Sequence, residues 1–587
     1  MGLEAMLARA DGVALAARFF NAGYLRRLLI AGEWYLWEGP IEAGKTPVLQ
    51  HPSFQHLPAG EATVVPVESG CRVAYRLPEG VGERIFAGLV QQLLATHLPL
   101  CRDPAGDLAD GVWQQHVRDL HQPGDAEVHE AARRMLASRE LLALAWRLHT
   151  KRRLVTQHRA LAVPWSDEVQ TRALARLPFA LTPGQTVAVA EIRQDLQAAL
   201  PMYRLLQGDV GSGKTALALL AALAVIAAGG QAVLLAPTAV LADQHARFVA
   251  RCLDGTRVVC GLLTSGTVAR DELLREVVAG RCHLLIGTHA VFESEVRFAR
   301  LQLVIIDEQH KFGVAQRASL VAKAGPDLHP HLLLMTATPI PRTLALTAFG
   351  DLAVSRIVGR PPGRAAVTTR VIAGGLAQVE AELRRGQALI VCPLREAGIS
   401  DGANAEDVAV QLQTRHDGVD LLHGAMSETA KLAAMDKFRL GTTRILVATT
   451  VVEVGVDVPT LAVLAVLDAE RFGLAQLHQL RGRLGRGDIP GLCLLVHRPS
   501  AEARRLAILA ATDDGLAIAE SDLQERGPGA LMGTDQHGIL RLRVADLQRD
   551  LDLLQAAHQR VHAGQGAFTP ELAMLAPDAG GGAMAGG

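Results

Sequence analysis

Flat side chains are scarce in this chain: 587 residues hold 13 Phe, 5 Trp and 4 Tyr. Cysteine is scarce too, with seven residues (Cys71, Cys101, Cys252, Cys260, Cys282, Cys392, Cys493) and no CxxC pair. An odd, scattered set excludes a disulfide framework and a cysteine-held zinc site, and fits a reducing cytosol. Neither charge is in excess, since 59 Lys and Arg stand against 60 Asp and Glu for a net −1. The molecule is therefore no polycation, and any hold on nucleic acid must come from local Arg patches. Long hydrophobic runs are also missing. The most apolar stretch, "ALALLAALAVIAA" from Ala216 to Ala228, is shorter than the roughly 20 residues that span a bilayer, and reads as a buried helix. No basic segment followed by an apolar core opens the chain, so no signal peptide is expected.

What is present is a chain of 49% apolar residues, long enough for about three to five domains. Six of its few aromatics (Phe19, Phe20, Tyr24, Trp34, Tyr35, Trp37) crowd into "ARFFNAGYLRRLLIAGEWYLWEG" near the start. They read either as a β core or as a surface on which something flat stacks. Short β-like runs such as "EWYLWEG" and "ATVVPV" make residues 1–78 a small β unit, and 79–170 read as a helical linker.

Between 171 and 355, the apolar runs "YRLLQG", "AVLLAP", "CHLLIGTH", "LVIIDE" and "HLLLMTAT" alternate with helical stretches. The pattern repeats over 356–500 with "QALIVCP", "GVDLLHG", "TRILVAT", "AVLAVLD" and "LCLLVHR". The fold class expected is α/β, two tandem parallel-sheet domains with their ligand loops at the strand C-terminal ends. Residues 501–570 read as helical, and 571–587 as a disordered tail.

"GDVGSGKT", Gly208 to Thr215, matches the phosphate-loop pattern between a strand and a helix. Backbone N–H groups of Gly208, Asp209, Val210, Gly211, Ser212 and Gly213 are expected to wrap the phosphates of ATP at a helix N-terminus. Lys214 would meet the β- and γ-phosphates, and Thr215 would ligate Mg²⁺. "LVIIDEQH" delivers Asp307 and Glu308 from a buried strand, Asp307 as the second Mg²⁺ group and Glu308 to polarise the attacking water. "LPFALTPGQ" supplies Phe179 and Gln185 as further ATP-binding residues, the Gln185 amide suited to reading adenine. In "QLHQLRGRLGRG", Arg483 and Arg486 are candidates to reach the γ-phosphate from the opposite domain. ATP would then bridge two domains and its hydrolysis would move them, as in a motor.

Taken in order and spacing, "GDVGSGKT", "APTAVLADQH", "IGTHAVF", "DEQHKFGVAQR", "MTATPIPRTLA", "VATTVVEVGVDVP" and "QLHQLRGRLGRG" resemble superfamily 2 helicases, and more narrowly the RecG family of branched-DNA translocases. The resemblance implies two RecA-like domains, a preceding OB-fold wedge that splits strands at a fork, and a following helical hairpin with a translocation loop. It implies an ATP- and Mg²⁺-dependent, 3′–5′-class motor on double-stranded DNA, acting in fork regression, Holliday-junction migration, recombination and repair. A monomer in the bacterial cytoplasm, associated with the nucleoid, is implied as well, with single-strand DNA-binding protein as a partner. His310, Thr336, Thr338, Glu453, Asp457 and Gln479 fall on the coupling motifs. Arg18, Phe19, Phe20, Thr288, His289, Thr450, Arg526 and Gln536 fall on DNA-facing ones, with Phe19 and Phe20 at the strand-stacking position. The transcription-repair coupling translocase shares this motor type but needs a polymerase-binding module for which this chain has no room.

Two departures qualify the match. The loop "RGPGALMGTDQHG" carries Asp535 where the family usually has Arg, placing an anion near a phosphate track. The wedge match also begins almost at Met1, so a barrel lacking its first strands is expected. A motor-impaired structure-specific DNA-binding protein and an RNA helicase are the competing readings.

Overall fold

The computed structural model describes residues 2–8, 14–20, 25, 29–38, 41–42, 48–50, 52–57, 75, 83–122, 124–156, 159–308, 314–325, 328–337, 352–359, 365–393, 403–449, 458–485, 487, 489–499, 503–526, 542–547, 549–565 and 568–576. They fall into two units, Met1–Asp103 with Leu108–Met135, and Pro104–Asp107 with Leu136–Gly587.

In the first unit β1 (Gly2–Ala8) pairs antiparallel with β2 (Ala14–Phe20). The strands β3 (Trp34–Glu38), β4 (Ile41–Glu42), β5 (Val48–Gln50) and β6 (Ser53–Leu57) follow. One sheet runs β1-β2-β5-β4 and the other is the pair β3-β6. Side chains alternate between faces along a strand, so Ala17 and Phe19 share the inner face of β2, where they are buried with Leu25 and Leu49. The Phe19 ring lies 6.2 Å from Trp37 and 6.4 Å from Phe54, centroid to centroid. This corrects the stacking expectation for Phe19: at 4% exposure its ring is core and offers no face to a base. Arg18, beside it, is half-buried, and the Phe20 side chain lies outside the described residues. Helices α1 (Glu83–Thr96) and α2 (Asp110–His121) complete the unit.

The long helix α3 (Ala126–Thr156) enters the second unit at Leu136. It is more than a connector. Leu141, Leu142, Leu144 and Ala145 form a core with Leu554, Val561 and Leu572 of the helices Leu551–His562 and Pro570–Leu575. Glu140, 3% exposed, accepts the backbone N–H groups of Arg543, Val544 and Ala545 at 2.6, 2.9 and 2.8 Å. Three charge-assisted bonds on one buried carboxylate make a strong tie, here placed just after the segment expected to form the translocation loop.

After α4 (Asp167–Leu174) and α5 (Pro183–Leu196) come β7 (Tyr203–Gln207), α6 (Lys214–Ala227), β8 (Gln231–Leu235) and α7 (Ala239–Leu253). With β9 (Cys260–Leu263), β10 (Leu284–Gly287), β11 (Leu301–Asp307), β12 (His331–Thr336) and β13 (Ala353–Arg356) they build a parallel sheet in the order β13-β7-β12-β11-β8-β10-β9. Leu206, Leu234, Ile286, Ile305 and Leu333 face the core under α5 and α6. Their neighbours Leu205, Val233, Leu285, Val304 and Leu334 face the other core. Burial on both faces is why these strands read as unbroken apolar runs.

A second parallel sheet is built from β14 (Val367–Ala373), β15 (Gln387–Val391), β16 (Val419–Leu422), β17 (Ile445–Ala448), β18 (Leu461–Val466) and β19 (Gly491–His497). Its order is β14-β19-β18-β15-β17-β16, again with a core on each face. Among the described residues no helix is long and apolar enough to cross a membrane, and the run Ala216–Ala228 is the buried α6 with its cap.

Candidate active site

The phosphate loop leaves β7 and enters α6 through Gly211 (φ 74) and Gly213 (φ 88), left-handed positions that glycine adopts without strain. Gly213 is doubly constrained, since a Cβ there would come within 2.4 Å of the Gln185 amide nitrogen. Gln185 is 2% exposed; its Nε2 donates to Ser212 O at 2.7 Å and its Oε1 accepts from Thr182 N at 2.8 Å. The amide expected to read adenine is thus spent inside the protein, bracing the loop against the capped start of α5. Phe179, 43% exposed, lines the cavity beside this loop.

This cavity of about 390 Å³ is lined by Lys214, Thr215, Asp307, Glu308 and, from the second sheet's domain, Arg483. Lys214 Nζ donates to Gly208 O at 2.6 Å and Asp209 O at 3.0 Å. Burial lowers its pKa, while Asp307, Glu308 and Asp209 pull upward and Arg483 adds to the lowering. Burial pushes the Glu308 carboxyl up to about 7, helped by the Asp307 charge and opposed by Lys214, the Ala337 N–H and Arg483. At Asp307 burial pulls upward too, but the hydrogen bond and charge of His245, then the Lys214 charge and the Glu308 N–H, outweigh it and keep the carboxyl below its ordinary value.

Glu308 has φ 49, a left-handed conformation that costs a non-glycine residue on the order of 1–3 kcal/mol. The conformation is held by Glu308 N donating to Asp307 Oδ1 at 3.1 Å and by Ala337 N donating to Glu308 Oε1 at 3.2 Å. Thr336, fully buried at the end of β12, accepts Gly208 N through its carbonyl at 3.4 Å. The β12 end therefore touches both the phosphate loop and Glu308. Thr215 and Asp307, both in contact with His245, bring a hydroxyl and a carboxylate to one cavity, a hard-oxygen pair that suits Mg²⁺ shared with phosphates. No group of three or more metal-ligating residues occurs among the described residues, so a dedicated protein cage is not part of that fit.

Sequence reasoning passed over two histidines inside motifs it had quoted. His245 bridges Asp307 and Thr215. His478 Nε2 stands 3.3 Å from Asp209 Oδ1, its Nδ1 accepts from Arg481 Nη2 at 2.9 Å, and Arg481 Nη1 donates to the carbonyls of Leu509 and Thr512. Gln479, next to it, is 3% exposed. Thr288 is buried at the head of the turn His289–Phe292, and His289 is exposed near Gln316. Arg526 ends the helix Gly515–Arg526, its side chain not described. His310, Thr338, Thr450, Glu453, Asp457, Arg486, Asp535 and Gln536 lie outside the described residues.

Gly482 shows how tightly the two sheet domains meet, because a Cβ there would lie 2.8 Å from Val210 Cβ in the phosphate loop. Carbon atoms prefer roughly 3.5–4.0 Å, so Gly482→Ala must shift either Val210 in the phosphate loop or the backbone that carries Arg483. If a nucleotide is turned over in this cavity, Gly482→Ala is expected to lower turnover by up to about 10²-fold, as measured by steady-state turnover with nucleotide affinity followed by equilibrium titration.

Three sequence families match along the chain: DEAD/DEAH box helicase over residues 182–347, helicase conserved C-terminal domain over 373–488, and ATP-dependent DNA helicase RecG, domain 3, C-terminal, over 512–577. The ATP-dependent DNA helicase RecG of Bacillus subtilis (strain 168) is 38% identical over 571 residues, covering 93% of this chain and 81% of the relative. The chain belongs to the RecG family. RecG of Escherichia coli (strain K12) is 39% identical over 567 residues, with 91% and 81% covered. A structure of RecG bound to a three-way DNA junction superposes with TM-score 0.65 at 32% identity, covering 94% of this chain and 75% of that one. The paired parallel sheets are thus those of a RecG motor.

Proposed function

We propose that this RecG-family chain is an ATP-driven motor on double-stranded DNA that remodels branched molecules, regressing forks and migrating Holliday junctions. Its activity is that of an ATP-dependent DNA helicase. The observation that carries the reading is the cavity walled by Lys214, Asp307 and Glu308 from one sheet domain and Arg483 from the other.

In this reading the loop Gly208–Thr215 wraps the ATP phosphates, Lys214 meets the β- and γ-phosphates, and Phe179 covers the adenine. Thr215 and Asp307 hold Mg²⁺, which neutralises phosphate charge when bound. Glu308 polarises the attacking water, and its raised pKa suits a group that takes up a proton near neutrality. Arg483 neutralises charge gathering on the γ-phosphate. Loss of that phosphate removes what attracts Arg483, and the two domains part at the Gly482–Val210 contact.

Motion then passes through His478 and Arg481 to the Leu509 and Thr512 carbonyls, and so to the helix Gly515–Arg526 ahead of the translocation loop. Thr336, Thr338, His310, Gln479, Glu453 and Asp457 couple the nucleotide to this motion. Thr288, His289, Thr450, Arg526 and Gln536 face the duplex. Arg486 assists Arg483. Polarity of the 3′–5′ class, a monomeric state, work in the bacterial cytoplasm at the nucleoid and a single-strand DNA-binding protein as partner complete the proposal.

The test is ATP turnover with a three-way junction, a linear duplex and an RNA of equal length. Stimulation is expected to be strongest with the junction and absent with RNA. Failure of any branched DNA to stimulate turnover overturns the reading.

A further inference from the structure

We propose that His245 on α7 is the positioning residue of the metal side of the ATP site, holding the Thr215 hydroxyl and the Asp307 carboxylate in register. The inference deepens the reading of the cavity as a nucleotide site and rests on it.

Three elements meet at this imidazole, which is 4% exposed. His245 Nε2 lies 2.9 Å from Asp307 Oδ2 at the end of β11, and Nδ1 lies 3.4 Å from Thr215 Oγ1 in the first turn of α6. An ionised carboxylate can only accept, so Nε2 must carry a proton and donate it to Asp307. Nδ1 faces the Thr215 hydroxyl, so one ring ties Thr215 Oγ1 to the Asp307 carboxylate. On the other side, Asp307 Oδ1 is fixed by Glu308 N at 3.1 Å. Both carboxylate oxygens are held before any ligand arrives, and His245 is the side chain that relates them to Thr215.

The position of α7 adds a consequence. Half a turn beyond His245, Arg247 pairs with Asp243 at 2.8 Å and with Asp436 at 3.1 Å, the latter on the helix Glu428–Arg439 of the second sheet's domain. Arg439 in turn lies 3.6 Å from Asp243. The same helix that orients the metal-side pair is therefore docked to the other motor domain, and Leu241, Gln244 and Phe248 of α7 wall the cavity.

Groups that hold the ligands of a metal from behind typically change metal affinity or activity 10–100-fold when removed. The experiment measures binding of Mn²⁺ by its electron paramagnetic resonance in the presence of ADP, and ADP affinity in EDTA, for the full chain and for His245→Ala, His245→Gln and His245→Asn. His245→Ala is expected to weaken Mn²⁺ roughly 10- to 100-fold, with ADP affinity in EDTA unchanged. Gln reaches the Nε2 position and can still donate to Asp307, so it is expected to recover most of the loss. Asn, ending near Nδ1, is expected to recover little.

Unchanged Mn²⁺ affinity in His245→Ala overturns the proposal, as does an equal loss of ADP affinity in EDTA, which marks a general defect of the loop. Should the alanine variant not fold, Gln binding Mn²⁺ clearly more tightly than Asn supports the proposal, and equal behaviour of the two overturns it. If the unaltered chain binds no Mn²⁺ with ADP, it is the underlying reading of the cavity that fails.

Discussion

Arg483→Ala is expected to lower kcat for DNA-stimulated ATP hydrolysis by about 10³–10⁵-fold, the range seen where an arginine delivered to a γ-phosphate is removed. Arg483 is 9% exposed and lines the cavity that also holds Lys214 and Glu308, though more than 250 residues of chain separate it from the phosphate loop. Its charge acts on both groups, lowering the Lys214 pKa and opposing the rise at Glu308. A cation in that position repels Lys214 in the free protein and is compensated once a phosphate lies between them. Its stabilising effect therefore grows as charge builds on the transferred group, which is the condition for raising kcat rather than affinity. The measurement is a split of kcat from nucleotide Kd, with kcat collapsing and Kd moving by no more than a few-fold. Arg483→Lys is expected to rescue little, because an ammonium lacks the planar fork of donors. A fall confined to Kd would place Arg483 in uniform binding and remove it from the hydrolytic step.

Lys214→Ala is expected to bring turnover to background, a loss of at least about 10³-fold, while junction binding persists. Lys214 sits at the N-terminus of α6 with its ammonium folded onto Gly208 O and Asp209 O, inside a ring of three carboxylates that includes Asp307 and Glu308. Removing it leaves Asp307 and Glu308 facing each other without the cation between their charges and the phosphates, so both binding and chemistry suffer. Among the described residues, none of those proposed to face DNA lies on α6. A gel-shift or anisotropy measurement on a three-way junction without nucleotide is expected to show affinity within about twofold of the parent. Retained turnover would show that the loop Gly208–Thr215 does not hold the hydrolysed nucleotide.

Within the two parallel sheets, the strands missed by sequence reading share a position. The ten apolar runs named for those two domains all became strands, and the three described strands that no run had marked, β9, β13 and β14, lie at sheet edges. An interior strand is covered by helices on both faces and by strands on both sides, so it is apolar throughout. At an edge the cover is incomplete: in β14 Thr368, Arg370 and Ala373 are exposed among half-buried neighbours, and polar Thr368, Thr369 and Arg370 break its apolar run. The site shows the same division. Lys214, Asp307 and Glu308 were legible as candidates because each lies in a short local motif, and the structure brings all three to one cavity. His245 and His478 were in view but unread, since a lone histidine on a helix acquires meaning only from the carboxylate it meets across the fold.

The sequence by itself determined the two-sheet architecture, the phosphate loop and the acidic pair, because these depend on local patterns: strand-length apolar runs, glycines where φ must be positive, carboxylates at a strand end. Only the tertiary structure decided which groups meet. It brought Arg483 into the cavity of the other sheet's domain, spent the Gln185 amide on the phosphate loop, tied Glu140 to three backbone amides some four hundred residues away, and turned Phe19 inward. Each of these is a long-range contact won against chain entropy by burial or by a charge-assisted hydrogen bond. Such partners are set by how elements pack in space, which no spacing along the chain records.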